Sequence, residues 1–168
     1  MSFYQYQCSS TIELHSMGVN RRGELFYTVC FIPDSLRREL PLKQYPRLRI
    51  DGEIHGIPIE AALQPAKGRW YVLISQAFMK EHELSLGDEV EIWFNIADQD
   101  FVDVPDELRE AIDKSETAQE KWASLTAGKK RGYAAQVAAA KRQSTRLARA
   151  EKMIGFMLAN KNAGGRPF

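Results

Sequence analysis

Leu84-Ser85-Leu86-Gly87-Asp88-Glu89-Val90-Glu91-Ile92-Trp93-Phe94 is the stretch around which the chain is organised. It joins a Gly-Asp turn to a segment that alternates apolar and acidic residues. Val90, Ile92 and Phe94 fall on one face of a strand, and Glu89 and Glu91 on the other. Gly87 suits the positive φ of a tight entry turn, and Asp88 can hydrogen-bond the backbone just beyond it. The pattern predicts a strand with one face in a core and one in water. Everything before this stretch reads as short strands of one small β-domain, and everything after Asp100 reads as helix.

Upstream, Phe3 to Leu14 is rich in Tyr, Thr and Ile and predicts a first strand, ended by Gly18 and Asn20-Arg21-Arg22-Gly23. Glu24 to Ile32 predicts a second strand, buried on both faces. Pro33-Asp34-Ser35 stops it, and Leu36 to Leu40 predicts one helical turn with Arg37 and Arg38 outward, ended by Pro41. Leu48 and Ile50 alternate with Arg47, Arg49 and Asp51. After Gly52 a further strand is expected from Glu53 to Leu63, bent at Gly56 and Pro58. Trp70 to Ile74 is another, and Gln76 to His82 a single turn or short helix. Short strands at this spacing, interrupted by Gly and Pro, predict a small barrel rather than an open sheet. Its expected core holds Tyr27, Val29, Phe31, Ile50, Val72, Ile74, Val90, Ile92 and Phe94.

Downstream the period changes. Pro105 suits a first helical position, with Asp106, Glu107 and Glu110 near the positive end of the helix dipole. Ser115 is the expected cap of a second helix carrying Ala118, Trp122 and Leu125. Thr126 caps a third, with Tyr133 and Val137 inward, running to about Lys141. Ser144 caps a fourth, with Leu147, Ala150, Ile154, Met157 and Leu158 on its apolar stripe. The sequence thus predicts an α+β chain with a β-barrel domain over residues 1–100, a helical region over 101–160 and a disordered tail over 161–168.

The 168 residues are 44% hydrophobic, enough to bury a real core. The formal net charge of +1 hides a gradient. Residues 1–100 carry ten Lys or Arg against fourteen Asp or Glu, and residues 101–120 two against seven. Residues 121–168 carry eleven against Glu151 alone. Such asymmetry predicts either a polyanionic partner or pairing within the chain. Cys8 and Cys30 stand alone, without a CxxC, and read as reduced thiols of a cytoplasmic protein. The first residues lack the basic and apolar regions of a secretion signal, and no apolar run approaches a membrane span.

Val29-Cys30-Phe31-Ile32-Pro33, Ile50-Asp51-Gly52-Glu53-Ile54-His55-Gly56 and Leu86-Gly87-Asp88-Glu89-Val90 together resemble a bacterial domain family of unknown function. The resemblance implies a double-split β-barrel, distantly like the AbrB type. Val104-Pro105-Asp106-Glu107-Leu108, Ala140-Lys141, Thr145-Arg146 and Arg149 resemble the bacteriocin-protection, YdeI- or OmpD-associated region. That resemblance implies a C-terminal bundle of three to four short helices and a non-enzymatic role in stress protection or binding, with no catalytic residues to carry over. The chain departs from the family pattern at Ala139, where an acidic residue usually precedes the Ala-Lys pair.

Motifs of chemistry are sparse. His15, His55 and His82 lie in separate turns with no i, i+4 partner, so no metal site is assigned. Gly128-Lys129-Lys130 lacks the upstream Gly and following Ser or Thr of a phosphate loop, and Ser9-Ser10 has no nucleophile-elbow glycines. No cofactor and no catalytic residue is assigned. A barrel cleft lined by Arg49, Trp70, Tyr71 and Asp88 leaves room for an enzyme, the weakest class. The best candidate site is the basic set Lys129, Lys130, Arg131, Lys141, Arg142, Arg146, Arg149 and Lys152. On a helix from Ser144, Arg146 and Arg149 share a face opposed to much of the Leu147/Ile154/Leu158 stripe. Three readings compete: these side chains bind nucleic acid or another polyanion, dock on the acidic barrel, or form a solvated face. Arg146, at a helix start, is expected to pair with a carboxylate of the stretch from Asp98 to Asp106 or of the barrel. The partner is thus a protein, a small ligand or a polyanion.

Overall fold

The computed structural model describes residues 3–168, which fall into two compact units, one ending at Gln99 and the other spanning Asp100–Phe168. The first is a seven-stranded antiparallel sheet curled into a barrel. Its strands are β1 (Tyr6–Thr11), β2 (Glu13–Asn20), β3 (Gly23–Phe31), β4 (Leu48–Ile54), β5 (Ile57–Ala66), β6 (Arg69–Leu73) and β7 (Glu89–Ile96). They are ordered β1-β7-β4-β5-β6-β3-β2. Two short helices, α1 (Asp34–Glu39) and α2 (Gln76–Glu81), interrupt them.

β7, the organising strand of the sequence, lies between β1 and β4, with Ile92 opposite both Cys8 and Ile54. Val90, Ile92 and Phe94 are at most 1% exposed, while Glu89 and Glu91 are exposed. Each buried side chain of this kind contributes about 1.5–3 kcal/mol. The entry turn joins the strand to the point where the sheet's two edges meet. Gly87 donates its N–H to the Ile12 carbonyl at 2.8 Å, and Ile12 donates to the Asp88 carbonyl at 2.9 Å. The Asp88 carboxylate accepts from the backbone of Ser85, three residues before it rather than beyond it. Ile12 is fully buried and separates β1 from β2, so the single strand expected over Phe3–Leu14 is two. Ser10 Oγ donates to the Phe31 carbonyl at 2.8 Å and ties β1 to β3.

Other expectations shift for local reasons. β2 continues past Gly18 through a register shift between Ser16 and Gly18, and the turn lies at Asn20–Gly23. Gly52 does not end a strand. It is central in β4, where an added Cβ would stand 2.0 Å from the Trp93 carbonyl oxygen of β7. Only glycine lets the two backbones approach so closely. The bend expected at Gly56 is instead a two-residue hairpin turn, with His55 at φ 53° and Gly56 at φ 78°. Eight of the nine expected core residues are buried, but Tyr27 is 37% exposed. The β3–β6 ladder covers only Val29, Cys30 and Phe31, so the first half of β3 pairs with β2 alone and is not buried on both faces.

The second unit contains α3 (Asp106–Asp113), α4 (Glu116–Ser124), α5 (Ala127–Ala138) and α6 (Gln143–Leu158). Pro105 stands just before α3, one place earlier than expected. Ser115 and Thr126 cap α4 and α5 by accepting from Ala118 and Lys129. The core is made of small and flexible side chains around one aromatic: Leu108, Ile112, Tyr133, Val137, Met153 and Met157. Ser144 is not a cap. α6 starts at Gln143 after Arg142, with no side-chain cap, and its buried stripe is Ala150, Met153 and Met157. Leu147 and Leu158 are each 44% exposed, so the stripe is rotated from the expected one. Residues 161–168, expected as a disordered tail, form a closed loop. Lys161 and Pro167 make a β-bridge, the Tyr133 hydroxyl donates to the Lys161 carbonyl, and Gly165 packs on the Phe156 ring.

Candidate functional site

Arg146 lies one turn before Ala150 on the buried stripe of α6, so the two arginines expected to oppose the apolar face adjoin it. Arg146 Nε donates to Glu107 Oε1 at 2.7 Å, and its Nη1 to the Ala140 and Lys141 carbonyls at 3.3 and 3.1 Å. Arg149 Nη1 donates to the Gln136 carbonyl at 2.9 Å. These carbonyls lie in the last turn of α5 and just past it, at the negative end of that helix dipole. Two cations there satisfy orphan acceptors, which explains a charge placed near the uncapped start of α6. The partner is Glu107, one residue past the stretch 98–106, and it belongs to the helical unit. Glu107 is 12% exposed, and its hydrogen bond from Arg146 holds its carboxyl below the usual range. The segments Pro105–Leu108, Ala140-Lys141 and Arg146–Arg149 thus meet in one latch joining α3, α5 and α6.

The remaining basic residues do not form one patch. Lys129, Lys130 and Arg131 occupy the first turns of α5, with Lys129 Nζ 3.7 Å from the Phe168 ring centroid and Lys130 Nζ 5.8 Å from that of Trp122. Arg131 donates to the Phe101 carbonyl at 3.1 Å. Lys141 and Arg142 are exposed beyond the other end of α5, roughly 18 Å away at 1.5 Å per residue. Lys152 sits mid-way along α6, 5.4 Å from the Phe156 ring.

Among the described residues, the four expected to line a barrel cleft are not brought together. Neighbours on a strand face opposite ways. Tyr71 is therefore buried against Val29 and Phe31, while Trp70 is part-exposed on the other face. Arg49 is held at the end of β4 by Gln99 and the Asp98 carbonyl, and Asp88 is engaged in its own turn. The barrel interior is filled by Leu48, Ile50, Ile54, Leu63, Ile92 and Phe94, each at most 1% exposed.

A different concavity appears on the outside of the barrel. Trp70 forms one wall of an open groove of about 820 Å³, whose other walls are α1 and the loop to β4, with Arg37, Arg38 and Lys43 around it. The indole Nε1 donates to the Pro46 carbonyl at 3.1 Å, and the Arg37 guanidinium lies 5.8 Å from the ring. Sequence reading missed this site, although Arg37 and Arg38 were expected to point outward. The signal was Arg-Arg followed by Pro41, Lys43 and Pro46, but its aromatic partner is far along the chain. A smaller, more apolar hollow of about 320 Å³ lies between β5, β6 and α2, lined by Ile59, Val72, Ile74 and Phe78.

Cys8 and Cys30 are free and buried, and burial pushes both thiols up to about 11. Among the described residues no group of three or more His, Cys, Asp or Glu side chains could hold a metal ion. No helix of the described residues is long and apolar enough to cross a membrane. Compared with known proteins, residues 19–94 match a family model described as a domain of unknown function (DUF1905). Residues 102–160 match the family described as bacteriocin-protection, YdeI or OmpD-associated. No curated protein and no solved structure matches the chain.

Proposed function

We propose, for a chain that joins a domain of unknown function to a bacteriocin-protection, YdeI- or OmpD-associated region, a non-enzymatic role in binding or stress protection. The observation that carries this reading is the family match across residues 102–160, nearly the whole helical unit. The latch supports it over polyanion binding by the helices, because Arg146 and Arg149 are turned to their own unit. The filled barrel interior supports it over catalysis in a barrel cleft. Two buried, free thiols favour a reducing compartment, and we place the protein in the cytoplasm.

The test is survival. Bacteria sensitive to a bacteriocin are expected to survive a graded dose better when they express the chain than when they carry an empty vector. Equal survival across several bacteriocin classes overturns the protective role. Strong, salt-sensitive retention of the purified protein on heparin, lost on charge removal at Lys129, Lys130 and Arg142, would replace it with the polyanion reading.

A further inference from the structure

We infer that the groove beside Trp70 is a binding site for a small organic anion, its acid group held by Arg38 and Lys43 and its flat or apolar body lying against Trp70. The protective role above does not assign this site, and the inference stands without it.

Three features carry the inference. The first is charge. The barrel unit is acidic in sum, yet Arg37, Arg38 and Lys43 converge on one groove whose lining includes no Asp or Glu. Arg37 Nε is 3.1 Å from Asp34, so part of its charge is answered locally. The Arg38 and Lys43 side chains are exposed and make no hydrogen bond or ion pair among the described residues. Two unanswered cations on an acidic domain attract an anion of matching size, and low-dielectric walls strengthen that attraction.

The second feature is shape. A cavity of about 820 Å³ lies within the usual range for small-molecule sites of about 300–1,000 Å³. Leu40 and Leu42, 7% and 6% exposed, form its floor and belong to the barrel core, and its accessible apolar walls are the part-exposed Pro41 and the exposed Pro46. These give apolar surface to a ligand body, and Trp70 adds an aromatic one. A free inorganic anion would leave that surface uncovered, so the ligand carries a ring or hydrocarbon body as well as its charge.

The third is rigidity. The loop from α1 to β4 is closed on itself: Leu42 donates to the Leu40 carbonyl at 2.8 Å, and Tyr45 to the Pro41 carbonyl at 2.9 Å. Pro41 and Pro46 fix their own φ angles, and the indole hydrogen bond pins Trp70 to the same loop. The Arg37 Nη1 contact to the Gly68 carbonyl, at 3.4 Å, reaches the turn that precedes Trp70. A groove held in this way loses little freedom when it binds, which is the condition for useful affinity in a shallow site.

Phosphates and carboxylates share this chemistry, and calorimetric titration of the whole protein with ADP and with 2-naphthoate distinguishes them. Saturable binding of at least one probe is expected, tighter than that of inorganic phosphate or of adenosine. The double variant Arg38→Gln/Lys43→Gln is expected to weaken it at least about tenfold, because hydrogen bonds to charged groups carry most of the head-group affinity. Both residues are exposed, so this variant keeps its melting temperature. Trp70→Phe is expected to weaken binding less, and more for the larger ring. The inference is overturned if neither probe binds saturably, or if binding survives removal of both charges. It is also overturned if inorganic phosphate alone binds as tightly as ADP.

Discussion

The two units handle positive charge in opposite ways. Residues 121–168 are the most basic part of the chain, with eleven Lys or Arg against one acid. Yet the two arginines nearest the buried stripe of α6 are turned inward, onto Glu107 and the carbonyls ending α5. Residues 1–100 are acidic in sum, with ten Lys or Arg against fourteen acids, and here the Arg38 and Lys43 side chains, beside a cavity, have no partner among the described residues. Charge along a chain therefore ranks segments, while the fold decides which cations remain available. A helix end without side-chain caps consumes cations, whereas a short helix and its following loop on a barrel surface leave them exposed.

The two units also differ in what would break them. The barrel depends on close backbone contact between β4 and β7. Gly52→Ala would drive a methyl group onto the Trp93 carbonyl and the Phe94 backbone, at 2.0 and 2.8 Å. Backbone cannot step aside as a side-chain tip can, so a loss of about 3 kcal/mol or more is expected. Denaturant unfolding followed by circular dichroism checks it; a loss below about 1 kcal/mol would show that the β4–β7 approach yields.

The helical unit depends instead on the latch. Arg146→Ala leaves the Ala140 and Lys141 carbonyls without their cation, and a loss on the order of 1 kcal/mol is expected from those bonds. Arg146→Lys should recover little of it, since an ammonium lacks the planar fork that reaches three acceptors. Full recovery by Lys would mean that charge alone, without that geometry, holds the helices. The same latch predicts a pH dependence. The folded Glu107 carboxyl sits below its ordinary value, chiefly because Arg146 donates to it. The contribution is therefore complete above the ordinary value near 4.5, and is lost as pH falls through the lowered one. Acid titration of stability should fall less steeply in Glu107→Gln than in the parent protein. Identical acid limbs would remove Glu107 from the latch.

Much of the architecture was legible in sequence, because alternation and capping are local. The alternation of Val90, Ile92 and Phe94 marked β7, and Ser115 and Thr126 marked the starts of α4 and α5. What escaped was set by distant partners. Tyr27 reads as core from its strand, but β6 does not extend beside it. Gly52 reads as a break, and its reason is the Trp93 carbonyl of another strand. Ser144 reads as a cap, but Arg142 and Gln143 are already drawn into the start of α6. The site was less legible still. Arg146 and Arg149 were visible as charges just past the expected end of α5, but the turn that folds α6 back onto that end, and Glu107, 39 residues away, were not. Trp70 was visible as an aromatic, but the cations around it come from α1 and its following loop.

The smallest expected effect sharpens the comparison most. Lys141 and Arg142 follow α5 directly and differ from Arg146 mainly in where their side chains lie: both are exposed, and neither has a hydrogen-bond or ion-pair partner among the described side chains. The carbonyl of Lys141 belongs to the latch, but its ammonium does not. Lys141→Ala and Arg142→Ala should therefore each change stability by less than about 0.5 kcal/mol, the ordinary range for surface substitutions. Thermal melting of these two variants beside Arg146→Ala separates a latch from a general effect of net charge. If all three lost stability alike, positive charge near the α5 terminus would be acting through the helix dipole at large. A loss confined to Arg146→Ala leaves the stabilisation in the hydrogen bonds, which distance from the helix end alone does not provide.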